Sequence, residues 1–293
     1  MSFPWAVSYR DAAPDPFWGE PTSAVNFCEE DYIITKYIGE FFNTLTSLLY
    51  IAYGIHGIRR FRRQGAGSFE NTSLSYWALI GVGIFSGLYH TTLKYHTQMS
   101  DELSMHLAIG TVLQQTWCFQ EPPKIQRRNT AIILGILVPF VIYHCVTDEF
   151  VLHVLLFFCM CWIVAYRVRY IIHIRIKERE HRQRLRSLLT FASMTALTSY
   201  GIWNIDVNFC STLTTWKRQL GMPLGILLEL HGWWHIGTAV AAYTFMSIIE
   251  FLVSPEDLES HGVGFAWPAK AILQDLAPKA VMNGNANGHT KGE

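Results

Sequence analysis

Two pairs of residues spaced four apart sit inside otherwise apolar runs, and both carry groups that do chemistry. The first is His231-Gly-Trp-Trp-His235. Residues at i and i+4 share one face of a helix, which is what two metal ligands on a helix require. Two hydrogen-bonded core histidines are the alternative. No Glu follows His231, so this is not the H-E-x-x-H metalloprotease motif. The second pair is Ser86-Gly-Leu-Tyr-His90. His90 supplies a third imidazole, and three protein ligands plus a water make a catalytic zinc site. Ser86 either joins that chemistry or bonds its own helix backbone; a G-x-S-x-G nucleophile motif is absent. Asp101-Glu102 heads the next apolar run, where Asp101 with Ser100 suits a helix N-cap. Ionisable groups within membrane spans point to function by default. Asn26, Glu29, Glu30, Asp31 and Glu40 form an acidic set whose spaced oxygens suit a hard cation such as Ca2+. A solvated acidic patch is the competing reading, and an EF-hand loop fits poorly. His106, His144 and His153 lie in or near apolar runs and could line a cavity, but the sequence supplies no partner for them.

The elements that must position these residues follow from composition. Of 293 residues, 50% are hydrophobic and 16% charged, where a soluble domain carries about 25% charged residues. Lys plus Arg and Asp plus Glu are equal at 23, so no basic excess exists to neutralise nucleic-acid phosphates. Apolar content excludes a disordered chain, and six Cys over this length exclude a disulfide-dense secreted scaffold. A membrane span takes roughly 20 apolar residues. Seven runs approach that length: 38–58, 74–93, 102–119, 130–147, 150–170, 187–205 and 222–252. The expectation is an all-α polytopic membrane protein of seven transmembrane helices over 38–253. An N-terminal segment, 1–37, precedes it, and a largely disordered tail, 254–293, follows. A soluble bundle with buried helices is the alternative. Residues 1–37 lack the apolar stretch of a signal peptide, so the first span is expected to act as the targeting signal.

Orientation follows from where the basic residues fall. With a lumenal N-terminus and a cytosolic C-terminus, 18 of the 23 Lys and Arg lie on the cytosolic side; Arg10, Lys36, Lys94, Lys217 and Arg218 remain lumenal. His90, Asp101, His231 and His235 then all fall in the lumenal half of the bilayer. Only Cys28 and Cys210 fall in lumenal segments, where disulfides are permitted, so those two are expected to pair. The sequon Asn71-Thr72-Ser73 lies on the cytosolic side and is expected to stay unmodified.

Taken together, Ser86-x3-His90, Asp101 and His231-x3-His235 resemble the pattern of the alkaline ceramidase family, part of a superfamily of seven-span hydrolases and adiponectin-type receptors. WGEPTSAVNFCEEDY near the N-terminus, EFFNT at 40–44, WNIDVNFC at 203–210 and HGWWH at 231–235 carry the more specific likeness, which covers roughly 17–255. The resemblance implies zinc on His90, His231 and His235, with Ser86 and Asp101 completing the site. It also implies a calcium site at Asn26, Phe27 (through its carbonyl), Glu29, Asp31 and Glu40. The family often has Asp where Asn26 stands and Asn where Asp31 stands, a swap that keeps the formal charge. The family pairs the cysteines matching Cys28 and Cys210. The implied activity is hydrolysis of the ceramide, phytoceramide or dihydroceramide amide to a sphingoid base and fatty acid. The implied partners are that lipid and the membrane of the endoplasmic reticulum or Golgi; no protein partner is implied. In the implied mechanism zinc activates water and polarises the carbonyl, Asp101 moves the proton to the leaving amine, and Ser86 holds the water or the developing oxyanion. A seven-span receptor with a structural or weakly hydrolytic zinc is the alternative. The two differ in which side of the membrane holds the N-terminus.

Overall fold

The computed structural model describes residues 7–63, 71–253 and 264–276. Its described residues form helices and connecting turns. In chain order the long helices are α1 (Phe41–Arg63), α2 (Asn71–Thr92), α3 (Tyr95–Trp117), α4 (Pro123–Thr147), α5 (Phe150–Arg175) and α6 (Arg179–Asn208). The amphipathic α7 (Cys210–Leu220), a 3-10 turn (Leu224–Leu228), α8 (Leu230–Val253) and the short α9 (Ala269–Leu273) follow. Local chemistry sets several of these ends. Pro123 stands at the first position of α4, where its missing N–H costs nothing. Asp148 adopts the left-handed conformation that stops α4, and the Glu149 carboxylate then caps α5 by accepting from the Val151 and Leu152 amides.

α8 is the central helix: 67% of its most apolar stretch is buried, against α1, α2, α3, α5 and α6. The corresponding stretches of α4 and α5 are only 17% and 22% buried. Their exposed side chains include Leu134, Ile136 and Ile142 on α4 and Leu155, Trp162 and Tyr166 on α5. In water each such apolar square ångström costs about 25 cal/mol, so these outward faces require lipid as their solvent. α4, α5 and α8 are the described helices long and apolar enough to cross a membrane, and the chain is a membrane protein. α1, α2, α3 and α6 match four more of the expected runs in position but are less apolar.

α1 and α2 pack with their backbones in close approach. A Cβ built on Gly83 would lie 2.6 Å from Ile51 Cγ1 and 2.8 Å from the Ser47 carbonyl oxygen, so glycine is what lets the two helices meet there. At the end of the bundle away from the histidines, buried Arg60 pairs with Glu250, and the Tyr76 hydroxyl donates to the same carboxylate at 2.7 Å.

Three boundaries differ from the sequence expectation. The last run, read as 222–252, becomes helical only at Leu230, because Pro223 and Gly225 interrupt it and 224–228 form a 3-10 turn. α3 begins at Tyr95, so Asp101 lies nearly two turns inside the helix and does not cap it. Within the tail, residues 264–276 pack as α9 and a turn, with Phe265, Ala269 and Leu273 in the core; the remainder of the tail lies outside the described residues. The sequon falls in the first turn of α2.

Candidate active site at one end of the bundle

The C-terminal end of α2 meets the N-terminal ends of α1, α3 and α8, and that junction gathers the residues singled out above. His90 ends α2, while His231 and His235 occupy the first turns of α8. All three are buried, and one donor atom from each lies within 4.8 Å of the other two. Their protonation is legible from their partners. His90 Nδ1 sits 2.5 Å from Glu40 Oε2. A carboxylate accepts, so Nδ1 carries the hydrogen and Nε2 keeps its lone pair. That Nε2 is buried with no hydrogen-bond partner. His235 Nδ1 lies 3.1 Å from the Asn43 carbonyl and so donates to it, which again leaves Nε2 as the lone pair. Outward donation to a carboxylate or carbonyl is how metal-binding imidazoles are oriented. His231 is held differently: Phe27 stacks on its ring at 3.5 Å between centroids, and its Nδ1 is buried without a partner.

Ser86 and Asp101 face the same cavity as His231 and His235, a space of about 90 Å3. The Ser86 hydroxyl lies within reach of the Asp101 carboxyl and 3.0 Å from Ser47 Oγ. Ser47 in turn donates to the Asn43 carbonyl at 2.8 Å and stands 3.4 Å from His235 Nδ1. A polar chain therefore runs from the histidine cluster through Ser47 to Ser86 and Asp101. The far wall is apolar: Phe150 and Phe158 of α5 interleave with Tyr200 and Trp203 of α6.

The N-terminal segment roofs this junction. The Tyr89 hydroxyl donates to Val25 O at 2.6 Å, and the Ala24 amide donates to Gln98 Oε1 at 2.7 Å. Three ties converge on Cys28. It forms a disulfide with Cys210, its amide donates to Asp206 Oδ2 at 3.0 Å, and its carbonyl accepts from Lys217 Nζ at 2.6 Å. Asp206 also accepts from the His231 amide at 3.3 Å, so one buried carboxylate sets both the roof and the first turn of α8. Lys217, counted from sequence as a lumenal loop charge, is fully buried and pairs with Glu229 at 2.8 Å. Glu229 itself precedes α8 and is not inside the span.

The acidic set is spread over several duties. Glu29 accepts from the Phe42 and Asn43 amides at 2.7 and 2.9 Å, capping α1 from a distance. Glu30 pairs with Arg218 of α7. Asn26 donates to Asp31 Oδ2 at 2.9 Å, and the Phe27 amide donates to Glu40 Oε1 at 3.3 Å. Burial first, then the neighbouring Glu40, pushes Asp31 up to about 6; burial, then Glu229 and Glu40, raises Glu29. Among the described residues these carboxylates are not drawn into a group as tight as the three histidines.

Sequence reasoning named the histidines, Ser86 and Asp101. It missed Ser47, Asn43, Asp206 and Lys217, whose types are common in helices and turns and whose partners lie far away in the chain. It also missed what gathers around Glu102: His144 Nε2 lies 2.6 Å and His153 Nδ1 3.9 Å from its carboxylate, with the His106 ring centroid 4.8 Å from that of His153.

A helical membrane protein that buries three convergent imidazoles beside a carboxylate and a serine has the groups to hold a metal ion and to move a proton. Known proteins narrow the class. The family profile described as Ceramidase matches residues 19–279, and the chain belongs to that family. It is 29% identical over 272 residues to alkaline ceramidase YPC1 of Saccharomyces cerevisiae, covering 85% of this chain and 82% of the relative. It is 28% identical over 229 residues to alkaline ceramidase 3 of Mus musculus, covering 78% and 82%. An alkaline ceramidase of Arabidopsis thaliana is 25% identical over 240 residues, covering 80% and 86%.

Proposed function

We propose that this chain is a zinc-dependent amidase that cleaves the N-acyl amide of ceramide, phytoceramide or dihydroceramide inside the membrane, releasing a sphingoid base and a free fatty acid. Family membership supports the substrate class. The observation that carries the reading is the buried trio His90, His231 and His235, two of which, His231 and His235, line a cavity with Asp101 and Ser86. The residues fit zinc: three nitrogen donors are its catalytic ligand set, and His90 and His235 each turn a lone pair inward while the other nitrogen donates outward. When bound, zinc supplies Lewis acidity that polarises a carbonyl and acidifies water.

The chain's own residues do the rest. Asp101 accepts the proton of the attacking water and delivers it to the amide nitrogen as the C–N bond breaks. Ser86 donates a hydrogen bond to the water or to the carbonyl oxygen as negative charge builds on it. The cavity of about 90 Å3 suits the scissile amide and its water, while the two hydrocarbon chains run outward along the aromatic wall of α5 and α6 toward lipid. Both products are lipids, which accounts for a site within the bilayer.

Two further readings belong here. The N-terminal loop is a Ca2+ site built from Asn26, the Phe27 carbonyl, Glu29, Asp31 and Glu40. Asp31 Oδ1, buried without a partner, supports it, as does the accumulation of carboxylates that a cation would neutralise. The chain spans the membrane seven times, lumenal at its N-terminus and cytosolic at its C-terminus, in the endoplasmic reticulum or Golgi.

The test is lipid mass spectrometry on wild type and His90→Ala with metal content measured in parallel. Wild type should contain zinc and release fatty acid from ceramide, and the variant should lose both. Zinc loss with undiminished hydrolysis would overturn the reading.

A further inference from the structure

We infer that Glu102, His144 and His153 form a second zinc-binding site, separate from the histidine trio. The three come from different helices: Glu102 from α3, His144 from the last turn of α4 and His153 from the first turns of α5. One donor atom from each lies within 4.8 Å of the others.

The donor geometry gives the reason. His144 Nδ1 lies 3.3 Å from the Glu149 carbonyl, and His106 Nδ1 lies 3.2 Å from the Glu102 carbonyl. A carbonyl only accepts, so both Nδ1 atoms carry hydrogens and both Nε2 atoms are lone pairs in the neutral ring. His144 Nε2 then meets Glu102 Oε2 at 2.6 Å, a contact that holds only when a proton or a metal ion joins the two lone pairs. His153 Nδ1 faces the same carboxylate from 3.9 Å, buried and without a hydrogen-bond partner. Buried polar atoms are nearly always satisfied. His144 is held as His90 and His235 are, with Nδ1 anchored outward on an oxygen and Nε2 turned inward, and His153, like His231, keeps a buried Nδ1 without a partner.

Two imidazoles and one carboxylate are a known zinc donor set, and no thiolate joins them to favour a softer metal. Tetrahedral zinc with bonds of about 2.0–2.1 Å holds its donors roughly 3.3 Å apart, so the His144–Glu102 contact of 2.6 Å opens and the His153–Glu102 distance of 3.9 Å closes, both within reach of side-chain rotation. Glu102 and His153 line the same cavity as Asp101, Ser86 and His235. Occupancy would therefore pin α3, α4 and α5 together at the wall of that cavity, one residue from Asp101.

The inference does not depend on zinc at His90, His231 and His235, and the assay separates the two. The full chain is purified in detergent, desalted, and its zinc counted by mass spectrometry. Wild type should hold two zinc ions per chain, His144→Ala one and His231→Ala one, with elution volumes unchanged. Overturning results are one zinc in wild type that His144→Ala keeps and His231→Ala loses. One zinc with the opposite dependence would keep the second site and sink the first. Should His144→Ala fail to fold, Glu102→Gln is the second variant. It should also drop to one zinc, and retention of two would refute the site. Zinc titration of chelator-stripped protein provides a second check: two equivalents are expected for wild type, and saturation at one that His144→Ala leaves unchanged contradicts the inference.

Discussion

Lys217→Met is expected to destabilise this protein more than its distance from the histidines suggests. The Lys217 ammonium is fully buried, 2.8 Å from Glu229 and 2.6 Å from the Cys28 carbonyl, and Glu229 is itself 3% exposed. Truncation leaves a buried carboxylate without its counter-charge, which costs about 3–5 kcal/mol. At roughly 2–4 °C per kcal/mol the melting temperature should fall by about 6–20 °C. Removing both charges as Lys217→Met/Glu229→Leu should recover much of that. What remains is the Cys28 carbonyl deprived of its donor, about 1–3 kcal/mol. The assay is a thermal scan of the detergent-solubilised, oxidised protein read by size-exclusion, on wild type, both single variants and the double. A single variant within about 2 °C of wild type, or a double variant as unstable as Lys217→Met, would refute the view that the two charges are a buried compensating unit.

Asp101→Asn should keep its zinc but lose turnover by about 10^2–10^4-fold, read by fatty-acid release beside metal content. Gly83→Ala drives a Cβ to 2.8 Å from the Ser47 carbonyl; overpacking of about 1–3 kcal/mol should appear as a lower melting temperature and, through displaced Ser47, a lower kcat. Cys28→Ser removes the covalent tie between the roof and α7 while keeping the backbone bond to Lys217; loss of the cross-link should cost about 2–4 kcal/mol, and added reductant should destabilise wild type but not the variant. An N-terminal tag on intact microsomes should resist added protease, and cleavage of that tag would favour a receptor-like orientation.

Much of the site was written in local spacing. The i, i+4 pairs 86/90 and 231/235 put their members on common faces, and the structure brings both pairs to one end of the bundle. Hydrophobic runs located the helices but not their ends. Pro223 and Gly225 are apolar enough to extend a run while refusing to extend a helix, and α3 gains nearly two turns of polar residues because 95–101 pack beneath the N-terminal roof. Partnerships across distance were hidden for a different reason. Glu102 with His144, or Asp206 with the Cys28 and His231 amides, have no sequence period, because the chain brings them together only when the helices pack. The same holds for Phe265 to Leu276, whose apolar residues are too few to announce a core contact.

The disulfide between Cys28 and Cys210 spans 182 residues, and that separation orders events during synthesis. At about 5–20 residues per second, roughly 10–40 s pass between the emergence of one cysteine and the other. For most of that interval the roof can reach Tyr89 and Gln98 but none of its three ties at Cys28, since Asp206 lies in α6 and Cys210 and Lys217 lie in α7. His231 and His235 arrive later still. A truncated or stalled chain therefore lacks both the latch and two of the three imidazoles, so a partly synthesised chain cannot assemble the cluster on which lipid cleavage would depend.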